Sequence, residues 1–161
     1  MAQEIEKKFL VAGDGWRVAA DGSPIVGTPF NQGYLATEPE RNVRVRTEGE
    51  RGTLTIKSKG EGSGSLVRRE FEYEIPRADV EQILAFCKPT PIEKTRYRVR
   101  HGDHVWEIDE FHGANDGLLV AEIELSVPDE PFARPDWLGD DVTDDPRYLN
   151  ANLVETPFST W

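Results

Sequence analysis

Glu4, Glu6 and Lys8 stand at alternate positions in Glu4-Ile5-Glu6-Lys7-Lys8-Phe9. Alternate side chains of a strand share a face, so these three would point one way while Ile5, Lys7 and Phe9 point the other. The pattern recurs along the chain. Arg44 and Arg46 alternate with Val43 and Val45, and Thr53, Thr55 and Lys57 with Leu54 and Ile56. Arg68, Glu70, Glu72 and Glu74 alternate with Val67, Phe71, Tyr73 and Ile75, with Arg69 the exception. Lys94, Arg96, Arg98 and Arg100 alternate with Tyr97 and Val99, Glu107 and Asp109 with Trp106 and Ile108, and Glu122 and Glu124 with Ala121, Ile123 and Leu125.

For any one strand, a solvated face is the plain reading, because antiparallel sheets commonly keep one face wet. The set as a whole is sorted by sign, acid beside acid in some segments and base beside base in others. Carboxylates at i and i+2 lie about 7 Å apart along a strand. At an effective dielectric of about 20 they repel by roughly 2 kcal/mol. In water that cost mostly vanishes, but inside a barrel it would be severe without cations between them. Carboxylates with no matching His or Cys suit a hard, oxygen-seeking ion such as Mg²⁺ or Mn²⁺. Clustered Arg and Lys suit phosphate oxygens. A metal and a basic clamp together are the equipment of phosphoryl transfer.

The elements that must carry these residues are mostly strands. Alternating segments run over 3–11, 31–37, 42–49, 52–58, 66–76, 91–100, 103–111 and 117–127, with turn-forming Gly, Asp, Ser and Pro between them. Val80, Ile83, Leu84 and Cys87 keep helical spacing and predict a helix over 77–87. Asp144-Asp145-Pro146 predicts a C-terminal helix through Val154, with Asp as cap and Pro in the first turn. Pro135-Asp136-Trp137-Leu138-Gly139 reads as a short apolar anchor. Short links between strands favour antiparallel meanders, hence a mainly β (α+β) barrel or sandwich. His101, His104 and His112 fall in or near turns and read as solvated or structural. Cys87 reads as core, and Trp106, Trp137 and Trp161 as packing residues.

At 161 residues the chain predicts one domain, spanning residues 1–161. The net charge of −11 argues against a general nucleic-acid binder. Residues 41–100 carry 14 bases against 9 acids, while 101–161 carry 2 against 15. Charge alone leaves two readings open: a basic middle that holds an anion, or an unevenly charged surface. A lone cysteine excludes an internal disulfide and a Cys-based zinc site. No apolar run is long enough to span a membrane, and no signal-peptide pattern opens the chain, so a cytoplasmic location is expected.

Glu4-Ile5-Glu6-Lys7-Lys8 also resembles the E-x-E-x-K signature of the CYTH superfamily, the triphosphate tunnel metalloenzymes. Further resemblances follow in order: Gln32-Gly33-Tyr34-Leu35, Val43-Arg44-Val45-Arg46, Leu54-Thr55-Ile56-Lys57, Glu70-Phe71-Glu72-Tyr73-Glu74-Ile75, Glu93-Lys94-Thr95-Arg96-Tyr97, Glu122-Ile123-Glu124-Leu125, and Asp144 to Asn150. The resemblance implies an eight-stranded antiparallel tunnel barrel with a few helices, including a C-terminal one. It implies that Glu4, Glu6, Glu122 and Glu124 bind divalent metal, with Asp109 an additional acid, and that the metal is Mg²⁺ with Mn²⁺ as alternative. Lys8, Arg44, Arg46, Lys57, Lys94 and Arg96 would grip a triphosphate, with Glu124, Lys8 and Lys94 closest to the chemistry. Glu70 and Glu72 would support the tunnel, and Arg147 would reach in from the C-terminal helix. Some family relatives carry lysines further along that helix, where Leu149 and Ala151 stand here.

The short single-domain form looks most like inorganic triphosphatases, which split tripolyphosphate into pyrophosphate and phosphate. Thiamine triphosphatase and class IV-type adenylyl cyclase use the same tunnel and stay open as alternatives, as does a non-catalytic polyphosphate-binding barrel. The expected partner is a small-molecule triphosphate, with no nucleic acid and no membrane, and a homodimer is left open.

Overall fold

The computed structural model of the chain describes residues 2–38, 40–59 and 67–161, with side chains described for all of these except residues 2–4, 67 and 88–90. Among the described residues, nine strands form one antiparallel sheet: β1 (Ala2–Val11), β2 (Thr28–Glu38), β3 (Arg41–Glu48), β4 (Arg51–Ser58), β5 (Val67–Ile75), β6 (Lys88–His101), β7 (His104–Phe111), β8 (Leu119–Glu124) and β9 (Leu138–Asp141). Two helices accompany them, α1 (Arg77–Leu84) and α2 (Asn150–Glu155).

The strand order is β5-β4-β3-β2-β6-β7-β8-β1-β9, and β1 also meets β5. The first half of β1 pairs with β5 through Ala2–Ile5, and its second half pairs with β8 through Glu6–Leu10. The sheet therefore curls into a tunnel whose seam is only partly hydrogen-bonded, and it is not a fully closed cylinder. This order sets β8 across from β3, and β1 across from β2. The hairpin between β6 and β7 turns at Gly102, whose φ of +61° suits a tight two-residue loop.

Alternation decides what faces where. The outward residues of β1, β6, β7 and β8 build one core: Ile5, Phe9, Val99, Trp106, Ile108, Ala121 and Ile123, sealed by Trp16, Phe132 and Trp137. A second core lies across one end of the tunnel. There Tyr34, Ile92, Phe111 and Val120 meet Tyr148, Leu153 and Val154 from the C-terminal segment. The apolar side chains thus sit outside the wall and at one end, which leaves the charged faces inside.

Three details depart from the sequence reading. The segment around Trp137 does anchor in the core, but it continues into β9, which pairs with β1 at Phe9 and Val11. The helix expected over 77–87 ends at Leu84. The C-terminal helix expected from Pro146 is split in two. The Asp145 carboxylate accepts the Arg147 backbone N–H at 3.0 Å and caps a single 3₁₀ turn. Leu149 then extends at φ −68°, ψ 130°, before α2 begins.

α1 packs closely on β4. A Cβ at Gly52 would stand 2.7 Å from the Ile75 carbonyl oxygen and 2.9 Å from Val80 Cγ2. Gly52→Ala is expected to destabilise the fold by about 1–3 kcal/mol through overpacking. Urea unfolding measures this, and an unchanged midpoint would mean that α1 does not press on β4 this tightly.

Candidate functional site

The inward faces enclose a cavity of about 710 Å³. β1 contributes Glu6 and Lys8, β3 Arg44 and Arg46, β4 Lys57, and β5 Arg68, Glu70 and Glu72. β6 contributes Lys94 and Arg96, β7 Glu107, and β8 Glu122 and Glu124. The C-terminal segment adds Thr143, Asp144 and Asn150. Lys8, Arg46, Lys57, Lys94, Arg96 and Glu122 are all buried, which rules out a simple solvated face. Charges leave water at such a cost only with partners.

The main partner is Asp109, which is 0% exposed. Its Oδ2 lies 2.7 Å from Lys94 Nζ. Arg96 grips both carboxylate oxygens, Nε to Oδ1 at 2.7 Å and Nη2 to Oδ2 at 2.8 Å. Such a bidentate clamp is the strong form of an ion pair. Phe30 lies against three neighbouring cations, with Arg46, Arg96 and Lys94 at 4.7, 4.9 and 5.7 Å from its ring centroid. Lys8 Nζ stands 3.7 Å from Glu122 Oε1 and donates to the Tyr148 carbonyl at 3.3 Å.

Burial pushes Lys94 down to about 8, although Asp109 pulls the other way. Burial, then repulsion from Arg44 and Arg96, pushes Arg46 down to about 10. Burial is the largest cause for both, and an anion in the cavity would offset it by favouring their charged forms. The carboxylates go the opposite way. Burial disfavours the charge on Asp109 and Glu122, but neighbouring Lys and Arg outweigh it and hold both below their ordinary range.

Acid sensitivity follows. Depressed carboxylates contribute stability above their unfolded pKa values, 3.8 for Asp109 and 4.5 for Glu122. Below those values the unfolded chain binds more protons, so stability falls as pH drops through the folded values. Thermal melts are expected to show a midpoint that declines once pH falls below about 4.5. A flat profile through that acid range would contradict the pairing.

Lys8, Arg44, Arg46, Lys57, Lys94 and Arg96 come together in the cavity, as do Glu6, Glu70, Glu72, Glu122 and Glu124. Glu4 pairs its backbone with Arg68, but its side chain lies outside the described residues. Asp109 lies beneath the cavity wall, with both of its oxygens held by Lys94 and Arg96. Arg147 is not among the residues that line the cavity. The break at Leu149 leaves it on the 3₁₀ turn, exposed, paired with Asp145 at 2.7 Å and stacked 4.9 Å from Trp161.

His104 and His112 have structural partners, Glu130 and Thr95. Cys87 is half-buried against Gly33, and Trp106 and Trp137 are core. Trp161 is partly exposed but packs on Tyr148 and Phe158.

Sequence reasoning left Tyr34, Asn42, Arg68, Glu107 and Asn150 out of the site, and all five line it. Arg68 and Glu107 stood in the alternating pattern, so parity alone could have included them. Asn42 shares the parity of Arg44, and Tyr34 that of Gln32. Asn150 ends the Asp144 to Asn150 resemblance, but nothing local brings its side chain to the site.

Across the β1–β8 ladder Glu6 faces Glu124, and Lys8 faces Glu122. Among the described residues, no three acidic, histidine or cysteine side chains converge into a cage. The carboxylates instead form an open row of hard oxygen donors. That suits an ion of the Mg²⁺ class, which takes one or two carboxylates and completes its shell with water and phosphate oxygens.

A model of the CYTH domain family matches residues 2–155. An inorganic triphosphatase of Acetivibrio thermocellus is 43% identical over 162 positions, covering 100% of this chain and 99% of its own. An inorganic triphosphatase of Nitrosomonas europaea is 35% identical over 155 positions, covering 94% and 96%. The solved structure of the inorganic triphosphatase NE1496 superposes with a TM-score of 0.65 at 31% identity, over 94% of this chain and 97% of that one. The Hippeastrum protein HpAC1, at 14% identity and a TM-score of 0.58 over 78% and 80%, shares the fold alone.

Proposed function

The chain belongs to the CYTH domain family, and on that premise we propose that it hydrolyses inorganic tripolyphosphate to pyrophosphate and orthophosphate with the help of a divalent metal. The observation that carries this reading is one cavity whose β3, β4 and β6 walls are cationic while its β1 and β8 walls carry Glu6, Glu122 and Glu124. The two inorganic triphosphatases above are similar over almost their whole length, which supports it.

In this reading Arg44, Arg46, Lys57 and Arg96 bind and orient the phosphate chain, and Lys8 and Lys94 add charge beside them. Glu70 and Glu72 hold the basic side chains in place. Asp109 acts from beneath by fixing Lys94 and Arg96. Glu6, Glu122 and Glu124, with Glu4 on the same strand, would hold the ion, Mg²⁺ first and Mn²⁺ second. When bound, such an ion neutralises phosphate oxygens and makes a water nucleophilic near neutral pH. The plug of Tyr148, Leu153 and Val154 keeps one end of the cavity from bulk water. Among the described residues no helix is long and apolar enough to cross a membrane. We take residues 1–161 as one domain acting in the cytoplasm.

A hydrolysis panel with Mg²⁺ and with Mn²⁺ tests the reading. Tripolyphosphate, thiamine triphosphate, ATP and pyrophosphate are compared for phosphate release, with cyclic AMP assayed in the ATP arm. Tripolyphosphate is expected to turn over fastest. Preference for thiamine triphosphate, or cyclic AMP from ATP, would replace the substrate. Tight binding with no turnover would make the protein a polyphosphate-binding barrel.

A further inference from the structure

Asn150 opens α2, and its side chain is fixed by two buried neighbours. Asn150 Oδ1 accepts from Lys94 Nζ at 3.2 Å and from Gln32 Nε2 at 3.3 Å. Gln32 is 0% exposed and also donates to the Tyr34 hydroxyl at 3.3 Å. An ammonium group has donors and no acceptor, so the Asn150 atom facing Lys94 must be the oxygen. Nδ2 therefore points the other way. Among the described residues it has no hydrogen-bond partner, and Asn150 lines the cavity.

We propose that Asn150 is a substrate-binding residue whose Nδ2 donates to a phosphate oxygen of a polyphosphate in the cavity, its amide held in that orientation by Lys94 and Gln32. Phosphate oxygens only accept, so a donor N–H on a residue that lines the cavity matches them. A neutral donor also adds a contact without adding charge. That matters where Arg44 and Arg96 already repel Arg46. Gln32 on β2 and Lys94 on β6 both hold the same oxygen, so the amide is oriented before any ligand arrives. The helix behind it is seated by Leu153 and Val154.

The inference rests on the polyphosphate reading above, and nuclear magnetic resonance separates the two. Wild-type protein with ¹⁵N label is titrated with tripolyphosphate in the presence of a metal chelator, so that binding is read without turnover. The Arg44 and Arg46 Nε signals and the Asn150 Nδ2 signal are expected to shift together. If the arginines shift to saturation while Asn150 Nδ2 stays in place, the assignment of Asn150 fails and the polyphosphate reading stands. If nothing shifts and no hydrolysis occurs with metal, both fail.

Kinetics give a second readout. Asn150→Ala is expected to raise KM for tripolyphosphate about tenfold, with a smaller change in kcat, as for loss of a hydrogen bond to a charged group. Asn150→Asp keeps the oxygen that serves Lys94 and Gln32 but loses the donor, so it is expected not to restore KM. Restoration to the wild-type value would reduce Asn150 to a tether for Lys94 and overturn the proposal.

Discussion

Glu124→Gln is expected to lower tripolyphosphate turnover by about 10³-fold while leaving the melting temperature within a degree or so of wild type, given that its side chain is exposed at the cavity edge. Glu124 faces Glu6 across the β1–β8 ladder, and its neighbour on the same face is Glu122. The amide keeps the size of the carboxylate and removes the charge that a divalent ion needs. A factor of 10³ corresponds to about 4 kcal/mol of barrier, the scale expected for charge stabilisation by a bound metal. Steady-state kinetics across a metal titration would measure it. Raising the metal concentration should recover part of the loss, since Glu6 and Glu122 remain. Undiminished turnover would remove Glu124 from the proposed metal site.

Asp109→Asn is expected to cost about 3–5 kcal/mol of folding stability, because it leaves Lys94 and Arg96 buried without their counter-charge. The expected pH dependence carries a sign. Lys94 already sits at about 8 instead of its ordinary 10.5. Loss of Asp109 would lower it further, so the variant would shed this proton earlier as pH rises. The unfolded chain then holds the extra proton, and stability climbs with pH in the variant before it does in wild type. The gap between the two is thus expected to narrow as pH rises toward 8. Urea unfolding at several pH values measures both effects. A loss below about 1 kcal/mol would mean that Asp109 is not what holds the two cations in place.

Asp109 also marks where sequence reading stopped. Glu107 and Asp109 have the same parity on β7, and nothing local separates them. The register between β6 and β7 does, by placing Arg96 opposite Asp109 and Arg98 opposite Glu107. Asp109 is sealed beneath the wall, while Glu107 lies at the cavity and pairs with Arg96 and Arg98 at 3.2 and 3.3 Å. The same holds for Arg147, whose direction depends on one extended residue, Leu149, that a capped helical pattern did not announce.

Glu6 and Lys8 on β1, Arg44 and Arg46 on β3, Lys94 and Arg96 on β6, and Glu122 and Glu124 on β8 were legible because a strand repeats every two residues. A period so short is written in local sequence, and it sorts each strand into two faces without reference to any other. Sequence by itself therefore determined the strands, the sign of each face and the kind of ligand those signs suit. Which face turns inward was decided by the tertiary structure. The apolar faces of β1, β6, β7 and β8 found cover in Trp16, Phe132 and Trp137, brought to them from distant loops. Contacts of that kind depend on how far apart parts of the chain meet. The same is true of the bonds that tie Asn150 to Lys94 and Gln32, 56 and 118 residues away. Burial, counter-ions and the aim of one amide come from those meetings, and no local period encodes them.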